Sequence, residues 1–402
     1  MRESSRVSSL GQAFAMALAT FVAAACGGGS SSGGAANGMN PAQPMGTLRV
    51  ALTDAPACGF DEVNITVDRV RVNASQTADD SASGWHDLAL SPARRINLLD
   101  LTNGALEELG QMALPGGQYS QVRLVLVPNT AGVLANSVVP TGGTEQPLDT
   151  PSATHSGLKL IHGFTVPPGG LADLVLDFDA CKSIVRRGNG SFGLKPVIAV
   201  VPRAVAEIVG NVAPTVSGMQ ISAQVGGVVT RATVPDATGA FKLAFLDPST
   251  APSVDVVFAA PGFASAVVSG VPIAMQGSTR VSTADAPITL PASTTHTASG
   301  RALPVSASAT VRAVQSVGAV PKVEIASTNA DTTGTYSLTL PTAAPLFAPY
   351  ATTLPLMFTA DSTAAAKYTL EAAADGFVTQ SSSVLDLTAA DVVFDFMLPP
   401  VP

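Results

Sequence analysis

Charge is the scarcest commodity in this chain: Asp, Glu, Lys and Arg together make up 12% of its 402 residues. Glu and Lys are few while Val, Thr, Ser, Ala and Gly abound. Surface helices draw on Glu, Lys and Gln, so a helical bundle is excluded and strands joined by turns are expected. Basic residues number 21 against 29 acidic ones, for a formal net charge of -8. A nucleic-acid binder needs clustered Lys and Arg to meet phosphates, and that class is excluded too. Aromatics amount to 5%, with one Trp, which leaves little material for an exposed stacking platform. Beyond the N-terminal segment no stretch reaches 18 apolar residues without a charge or Pro; the best, 197–209, is broken by Pro202, Arg203 and Glu207. What is present is a hydrophobic fraction of 46% with 36 Gly and 30 Pro. That excludes a disordered acidic tail, and the length suggests two to four domains.

The N-terminus carries an address. Arg2 and Arg6 outweigh Glu3 before an apolar run from Ala13 to Ala25, too short for a permanent membrane helix and right for an export signal at residues 1–25. It closes on Ala23-Ala24-Ala25-Cys26, followed by Gly27-Gly28-Gly29-Ser30-Ser31-Ser32-Gly33-Gly34, so residues 26–46 read as a flexible tether. The combination resembles a bacterial lipoprotein signal, in which the Cys becomes the lipid-modified first residue of the mature chain. Ala23 stands where such signals usually carry Leu, and Ala23-x-Ala25 also fits an ordinary signal-peptidase site. Two or more acyl chains on Cys26 would anchor the chain stably, at about 0.8 kcal/mol per buried methylene. Gly27, rather than Asp, after the Cys implies by the same resemblance the outer membrane, facing the periplasm or the cell surface. With Cys26 acylated, Cys58 and Cys181 remain as an even pair, and a disulfide between them is the simplest accounting in an exported chain; two buried thiols are the alternative. Such a bridge closes a long loop and is worth roughly 5 kcal/mol on the chain-entropy model.

Leu48, Val50 and Leu52 alternate with polar neighbours, the period of a half-buried strand. Val63, Ile65 and Val67 keep one phase and Val70 and Val72 the other, which predicts a β-bulge near Asp68. Further strands are expected at 85–88, 95–99, 121–127, 163–166, 171–178 and 195–201, with turns at Asn103-Gly104 and Asn189-Gly190. Residues 105–112 read as a short helix or a hairpin. Thr47-Leu48-Arg49-Val50-Ala51-Leu52-Thr53-Asp54-Ala55-Pro56, Leu98-Leu99-Asp100-Leu101, Leu114-Pro115-Gly116-Gly117-Gln118-Tyr119, Val122-Arg123-Leu124 and Leu176-Asp177-Phe178-Asp179-Ala180 resemble the bacterial domain of unknown function numbered 4382, found in exported lipoproteins. The resemblance implies a β-sandwich-like periplasmic or surface domain and no established activity.

The remainder looks duplicated. Thr238-Gly239-Ala240-Phe241-Lys242-Leu243 precedes Ala260-Pro261-Gly262-Phe263, and about 95 residues on Thr333-Gly334-Thr335-Tyr336-Ser337-Leu338 precedes Ala374-Asp375-Gly376-Phe377. In each copy a Gly turn feeds a strand that buries an aromatic. The pattern resembles the transthyretin-like regulatory domain of carboxypeptidases, whose sandwich is shared by many carbohydrate-binding modules. In the second copy a Pro-rich stretch from Pro341 to Leu356 is inserted, which leaves strand pairing there open. The expected architecture is all-β: tandem β-sandwiches of the immunoglobulin/transthyretin-like kind at 47–204, 205–292 and 293–402.

Catalytic constellations do not assemble. A carboxypeptidase-type zinc site needs His followed three residues later by Glu, but His86, His155, His162 and His296 are followed there by Ala89, Leu158, Thr165 and Ser299. Ser191, in Gly190-Ser191-Phe192-Gly193, lacks the first Gly of a nucleophile elbow and reads as part of a hairpin turn. Asp54 and Asp61 flank Cys58, and Asp177 and Asp179 precede Cys181, so the bridge would bring four carboxylates toward one end of the domain, a set suited to a hard cation such as calcium. The competing reading has Asp54 capping a turn and the others facing solvent. Arg94-Arg95 and Arg186-Arg187 meet anionic glycans or lipid head groups on one reading and line solvated loops on the other. Trp85 and Tyr119 are the candidates for stacking on a sugar. The expectation is a non-enzymatic, cofactor-free envelope lipoprotein that binds or scaffolds, its partners a membrane and an envelope protein or glycan, with no nucleic acid. A carbohydrate-binding protein is the first rival. An enzyme of unrecognised type, grouping His155 or His162 with the Asp set, is the second.

Overall fold

A computed structural model describes residues 44–55, 59–203, 206–274 and 277–402. The export signal, Cys26, most of the tether and Cys58 lie outside the described residues.

The first segment comprises β1 (Met45–Ala55), β2 (Phe60–Asn73), β3 (His86–Asn97), β4 (Glu107–Pro115), β5 (Gly117–Leu126), β6 (Ser137–Pro140), β7 (Gln146–Asp149), α1 (Pro151–His155), β8 (Leu158–Val166), β9 (Leu171–Asp179), α2 (Ala180–Ser183), β10 (Ile184–Arg186), β11 (Phe192–Leu194) and β12 (Ile198–Pro202). One sheet runs β12-β9-β1-β4; the facing sheet runs β10-β11-β7-β6-β2-β5-β8, with β3 also on β2. Leu48, Val50 and Leu52 bury completely, as their alternation requires. The slip in β2 is absorbed where the sequence placed it: the register against both β3 and β5 shifts between Val67 and Arg69. The extra residue lets Val63, Ile65 and Val67 and also Val70 and Val72 reach zero exposure on the same core.

Two local expectations need correction. Residues 85–88 and 95–99 are not separate strands: β3 runs through both, and Leu98–Leu101 turn into a 3-10 helix. Residues 105–112 form neither a helix nor a hairpin. β4 pairs with β1 while β5, next in the chain, joins the opposite sheet, so the chain crosses between layers at Gly116.

The second segment comprises β13 (Ala206–Ala213), β14 (Gln220–Val225), β15 (Val228–Thr233), β16 (Ala240–Leu246), β17 (Ser253–Ala259), β18 (Ala266–Pro272), β19 (Gly277–Arg280) and β20 (Ile288–Thr289). The third comprises β21 (Thr295–Leu303), β22 (Thr310–Val317), β23 (Val320–Asn329), β24 (Thr335–Pro341), β25 (Leu346–Pro349), β26 (Thr359–Ala360), β27 (Lys367–Ala373), β28 (Gln380–Ser381), β29 (Leu385–Asp386), β30 (Val392–Val393) and β31 (Phe396–Met397). Both are two-sheet sandwiches with matching topology, β28 and β29 together taking on β27 the place that β18 takes on β17. β13 lies between antiparallel β16 and parallel β19 and β20, as β21 lies between antiparallel β24 and parallel β30 and β31. The second sheets run β15-β14-β17-β18 and β23-β22-β27-β28.

The repeated Gly turn explains itself at atomic level. Asp236 Oδ1 accepts from the amides of Thr238 and Ala240, and Asp331 Oδ1 from those of Thr333 and Thr335. Each turn needs a left-handed residue three positions on, supplied by Gly239 at φ 83° and Gly334 at φ 80°. The next strand then sets Phe241 opposite Gly210 and Tyr336 opposite Gly300. The two copies differ at the insertion, since β25 and β26 leave the third sandwich and extend the sheet of the second, β25 parallel to β18 and β26 antiparallel to β25.

Candidate functional site

The first segment ends where β1 and β9 leave side by side, Asp54 in register with Phe178 and Ala55 with Asp179. Leu176 and Phe178 point into the core at zero exposure, so Asp177 and Asp179 face outward by the alternation of a strand. That outward side is covered by the other two segments. Asp177 lies 3.1 Å from the guanidinium of Arg231 on β15. Asp179 caps α2 by accepting from the Lys182 amide, and the Lys182 ammonium sits 3.4 Å from Asp179 and 3.6 Å from Glu324 on β23. Glu324 lies 3.4 Å from Arg312, Arg312 binds Glu371 at 2.6 Å, and Glu371 also holds Lys322. A chain of alternating charge thus runs from the first sandwich into the third, and Arg312 also donates to the Gly227 carbonyl of the second.

Neutral hydrogen bonds complete the junction. The buried Gln224 amide donates to the Glu324 carbonyl and accepts from the Glu324 amide, both at 2.8 Å, taking the place of a neighbouring strand for β23. Asn329 donates to the Lys182 carbonyl at 2.7 Å. The Asn103-Gly104 turn, with φ of 57° and 75°, docks on the second segment: Asn103 Oδ1 accepts from the Thr233 hydroxyl and the Lys242 amide. A cavity of about 200 Å³ remains where the segments meet, walled by Lys182 of the first, Gln220 and Phe263 of the second and Ile325 and Thr339 of the third.

Burial tunes these groups. Desolvation pushes the Asp177 carboxyl up to about 6, against the pull of Arg231 and with a smaller push from Asp179. Burial drags the Lys182 ammonium down, but Glu324 and Asp179 outweigh it and its pKa stands above the ordinary value. Burial also pushes Glu371 up, and the hydrogen bonds from Lys322 and Arg312 reverse this and hold it low.

The residues singled out from sequence are placed as follows. Asp54 is buried and accepts from the Ala180 amide at 3.1 Å. Asp61 accepts from the Gly142 amide on an exposed loop. With Asp177 on Arg231 and Asp179 on Lys182, the four aspartates are distributed over four different partners rather than gathered. Among the described residues no group of three or more His, Cys, Asp or Glu assembles to hold a metal ion. Tyr119 is 5% exposed, stacked on Phe164 at 5.4 Å with its hydroxyl donating to the Pro115 carbonyl, so it is a core residue and not a sugar platform. Trp85 is half-buried: its indole donates to the Asp79 carbonyl, and the guanidinium groups of Arg71 and Arg123 lie 4.7 and 4.6 Å from its ring centroid. It pins the 74–85 loop to the sheet, with about 0.5–2 kcal/mol expected from each cation-π contact. Arg94 binds Glu107, Arg95 binds Glu145, and Arg187 binds Asp149. Ser191 lies in the β10–β11 hairpin, its amide donating to Asn189 Oδ1.

Sequence reasoning missed Gln224, Arg231, Arg312, Glu324 and Glu371. On β23, Glu324 sits between Val323 and Ile325, the alternation of any strand with one wet face. Nothing in that pattern tells a face that meets water from one that meets another domain.

Residues 45–196 match the family model described as a domain of unknown function, DUF4382. The comparison with curated proteins finds no match. Among solved structures, the chain is similar to a type II cohesin-X-dockerin complex from Acetivibrio cellulolyticus at 17% identity, over 22% of this chain and 58% of that one, with a TM-score of 0.18. The Bacillus anthracis TIE protein matches at 11% identity, over 89% of this chain and 51% of that one, with a TM-score of 0.17. A streptococcal ancillary pilin matches at 11% identity, over 88% and 100%, with a TM-score of 0.17. The chain thus spans about half of the first two, and likenesses at these scores bear on neither fold nor function.

Proposed function

We propose that this chain is a non-catalytic protein of the cell envelope, held at the outer membrane by a lipid on Cys26 and presenting a body of three sandwiches as a binding or scaffolding module. The observation that carries this reading is the use made of the polar side chains. The aspartates, Arg94, Arg95 and Arg187, Trp85 and Tyr119 are engaged in caps, ion pairs, ring contacts and docking between segments. A site for chemistry holds such groups converging on open space.

A disulfide between Cys58 and Cys181 belongs to the same reading. Ala55 and Asp179 are register partners, Cys58 follows three residues after the first and Cys181 two after the second, so a few residues of chain suffice to bring the sulfurs together. The shared topology of the second and third segments supports their assignment as carboxypeptidase-regulatory-like sandwiches serving as spacers.

The test is a pull-down from envelope extract with the mature chain, paired with mass spectrometry of its N-terminal peptide. An acylated Cys26 and a saturable envelope partner are expected. An unmodified Cys26 on the mature chain would refute the anchor, and turnover of any substrate by the purified chain would refute the non-catalytic reading.

A further inference from the structure

We propose that residues 342–366 are a strap that makes the second and third sandwiches a single obligate module. In the second segment the connection between β16 and β17 takes residues 247–252; the equivalent connection between β24 and β27 takes residues 342–366. The added chain leaves its own sandwich, lays β25 along β18 from Ala266 opposite Leu346 to Ser269 opposite Pro349, and returns through β26. Leu346 donates its amide to the Ser265 carbonyl and Tyr350 to that of Ser269, at 2.8 and 2.9 Å. These bonds occupy the β18 edge, which otherwise presents unpaired backbone groups.

Side chains of the strap serve both cores. Leu346 and Ala348 alternate into the core of the second sandwich, and farther along Leu356 joins them. Phe347, on the opposite face of β25, packs with the core of the third. Its ring lies over Gly318, a left-handed residue at φ 57° where a Cβ would stand 2.3 Å from the ring. The Gly318 amide donates to Asp361 on the returning limb, so the turn that accepts the ring also holds the strap's exit. The extended sheet has the same two-sidedness: Val256, Phe258 and Val268 face one core, and Val257 and Val267 the other. Strand pairing, core filling and turn geometry therefore agree that the second sandwich is finished by residues of the third.

Hydrogen exchange on the full chain tests the strap. Phe347→Ala removes the ring's packing on the third sandwich and beside its register partner Val267, yet exchange of the 206–225 and 253–259 amides, in strands of the second sandwich that β25 does not pair with, is expected to rise about tenfold or more. A rise confined to the third segment and the strap itself would overturn the proposal. The second arm uses Ser269→Cys with Pro349→Cys, register partners of which the first is half-buried and the second exposed. Oxidation is expected to slow exchange at 253–272 and raise the melting temperature of both sandwiches together, an effect lost on reduction beyond whatever the same reductant does to the wild-type chain. Unaltered exchange in the oxidised protein, or separate transitions for the two sandwiches, would equally overturn it.

Discussion

Replacing Gln224 by Leu keeps the volume of a fully buried side chain and deletes its polar end. In the native protein that amide satisfies both the N–H and the C=O of Glu324 at 2.8 Å, and also donates to the Ser222 hydroxyl. The substitution leaves two backbone groups unpartnered in an interface closed to water. Each orphaned group costs about 1–3 kcal/mol, part of which is offset because the amide's own desolvation is also removed, so a net loss of about 3 kcal/mol is expected. The second and third segments together hold roughly 200 residues, whose unfolding entropy near 60 °C is about 0.4 kcal/mol/K, and the loss converts to a fall in Tm of about 7 °C. Differential scanning calorimetry reads this directly. The chemistry predicts a graded series: Gln224→Glu keeps an acceptor for the Glu324 amide but sets a second carboxylate beside the Glu324 carbonyl, and falls below Leu. A Leu variant within about 1 °C of the parent would refute the claim that this amide acts as a surrogate strand for β23.

Asp177 sets a pH dependence of known sign. Its folded pKa of about 6 lies above the unfolded value, so the folded state holds more protons between pH 4 and 6, and its contribution to stability rises on acidification through that window, by about 1 kcal/mol at pH 5 relative to pH 7. Asp177→Asn should abolish this increment; the difference between the two proteins isolates it, because burial lowers the His162 pKa and costs stability over the same range. Equal pH profiles from urea melts would contradict the assignment. Below about pH 4 the trend reverses, since the turn carboxylates of Asp236, Asp331 and Asp361, held low by hydrogen bonds, must protonate. Gly239→Ala and Gly334→Ala both place a side chain at positive φ, at about 1–2 kcal/mol each, but the new Cβ meets the Val212 carbonyl at 2.3 Å in the first case and the Ala302 carbonyl at 2.9 Å in the second. The first should therefore be the more damaging in thermal melts, and the reverse order would count against the shared turn geometry. Trp85→Ala should speed proteolysis within 74–85 and lower Tm without altering binding to a glycan array; loss of a glycan signal would restore the sugar-binding reading.

What the sequence disclosed was local. The alternation of β1, the phase change at Asp68, the turns at Asn103-Gly104 and Asn189-Gly190 and the duplicated Gly turn are each set by a few adjacent residues, and periodicity reports such features faithfully. The continuity of β3 through Pro92 was hidden because the apolar pattern lapses there. The charged junction was hidden for a different reason. Arg231, Glu324 and Glu371 occupy positions that alternation assigns to the wet face, and only the docking of a second domain makes that face dry. The strap was hidden by its prolines. Pro345, Pro349 and Pro355 read as loop, yet Pro349 suits the end of β25, where β26 no longer pairs and the outer edge needs no amide partner. The same competition settled Tyr119 and the aspartates: residue types that suit a ligand site also suit a core or a cap, and tertiary context chose.

The borrowed edge strand imposes an order of assembly in time. The last strand that the second sandwich supplies for itself ends at Thr289, whereas the strand that closes its edge begins at Leu346. At about 5–20 residues per second, the intervening stretch of roughly 60 residues delays closure by about 3–12 s after the second sandwich has emerged. Throughout that interval β18 is the growing end of an unfinished sheet, open to a nascent neighbour because the chain's own continuation is not yet there to cover it. Such a protein should be most vulnerable to mispairing while it is being delivered, and most sensitive then to whatever holds emerging chains apart.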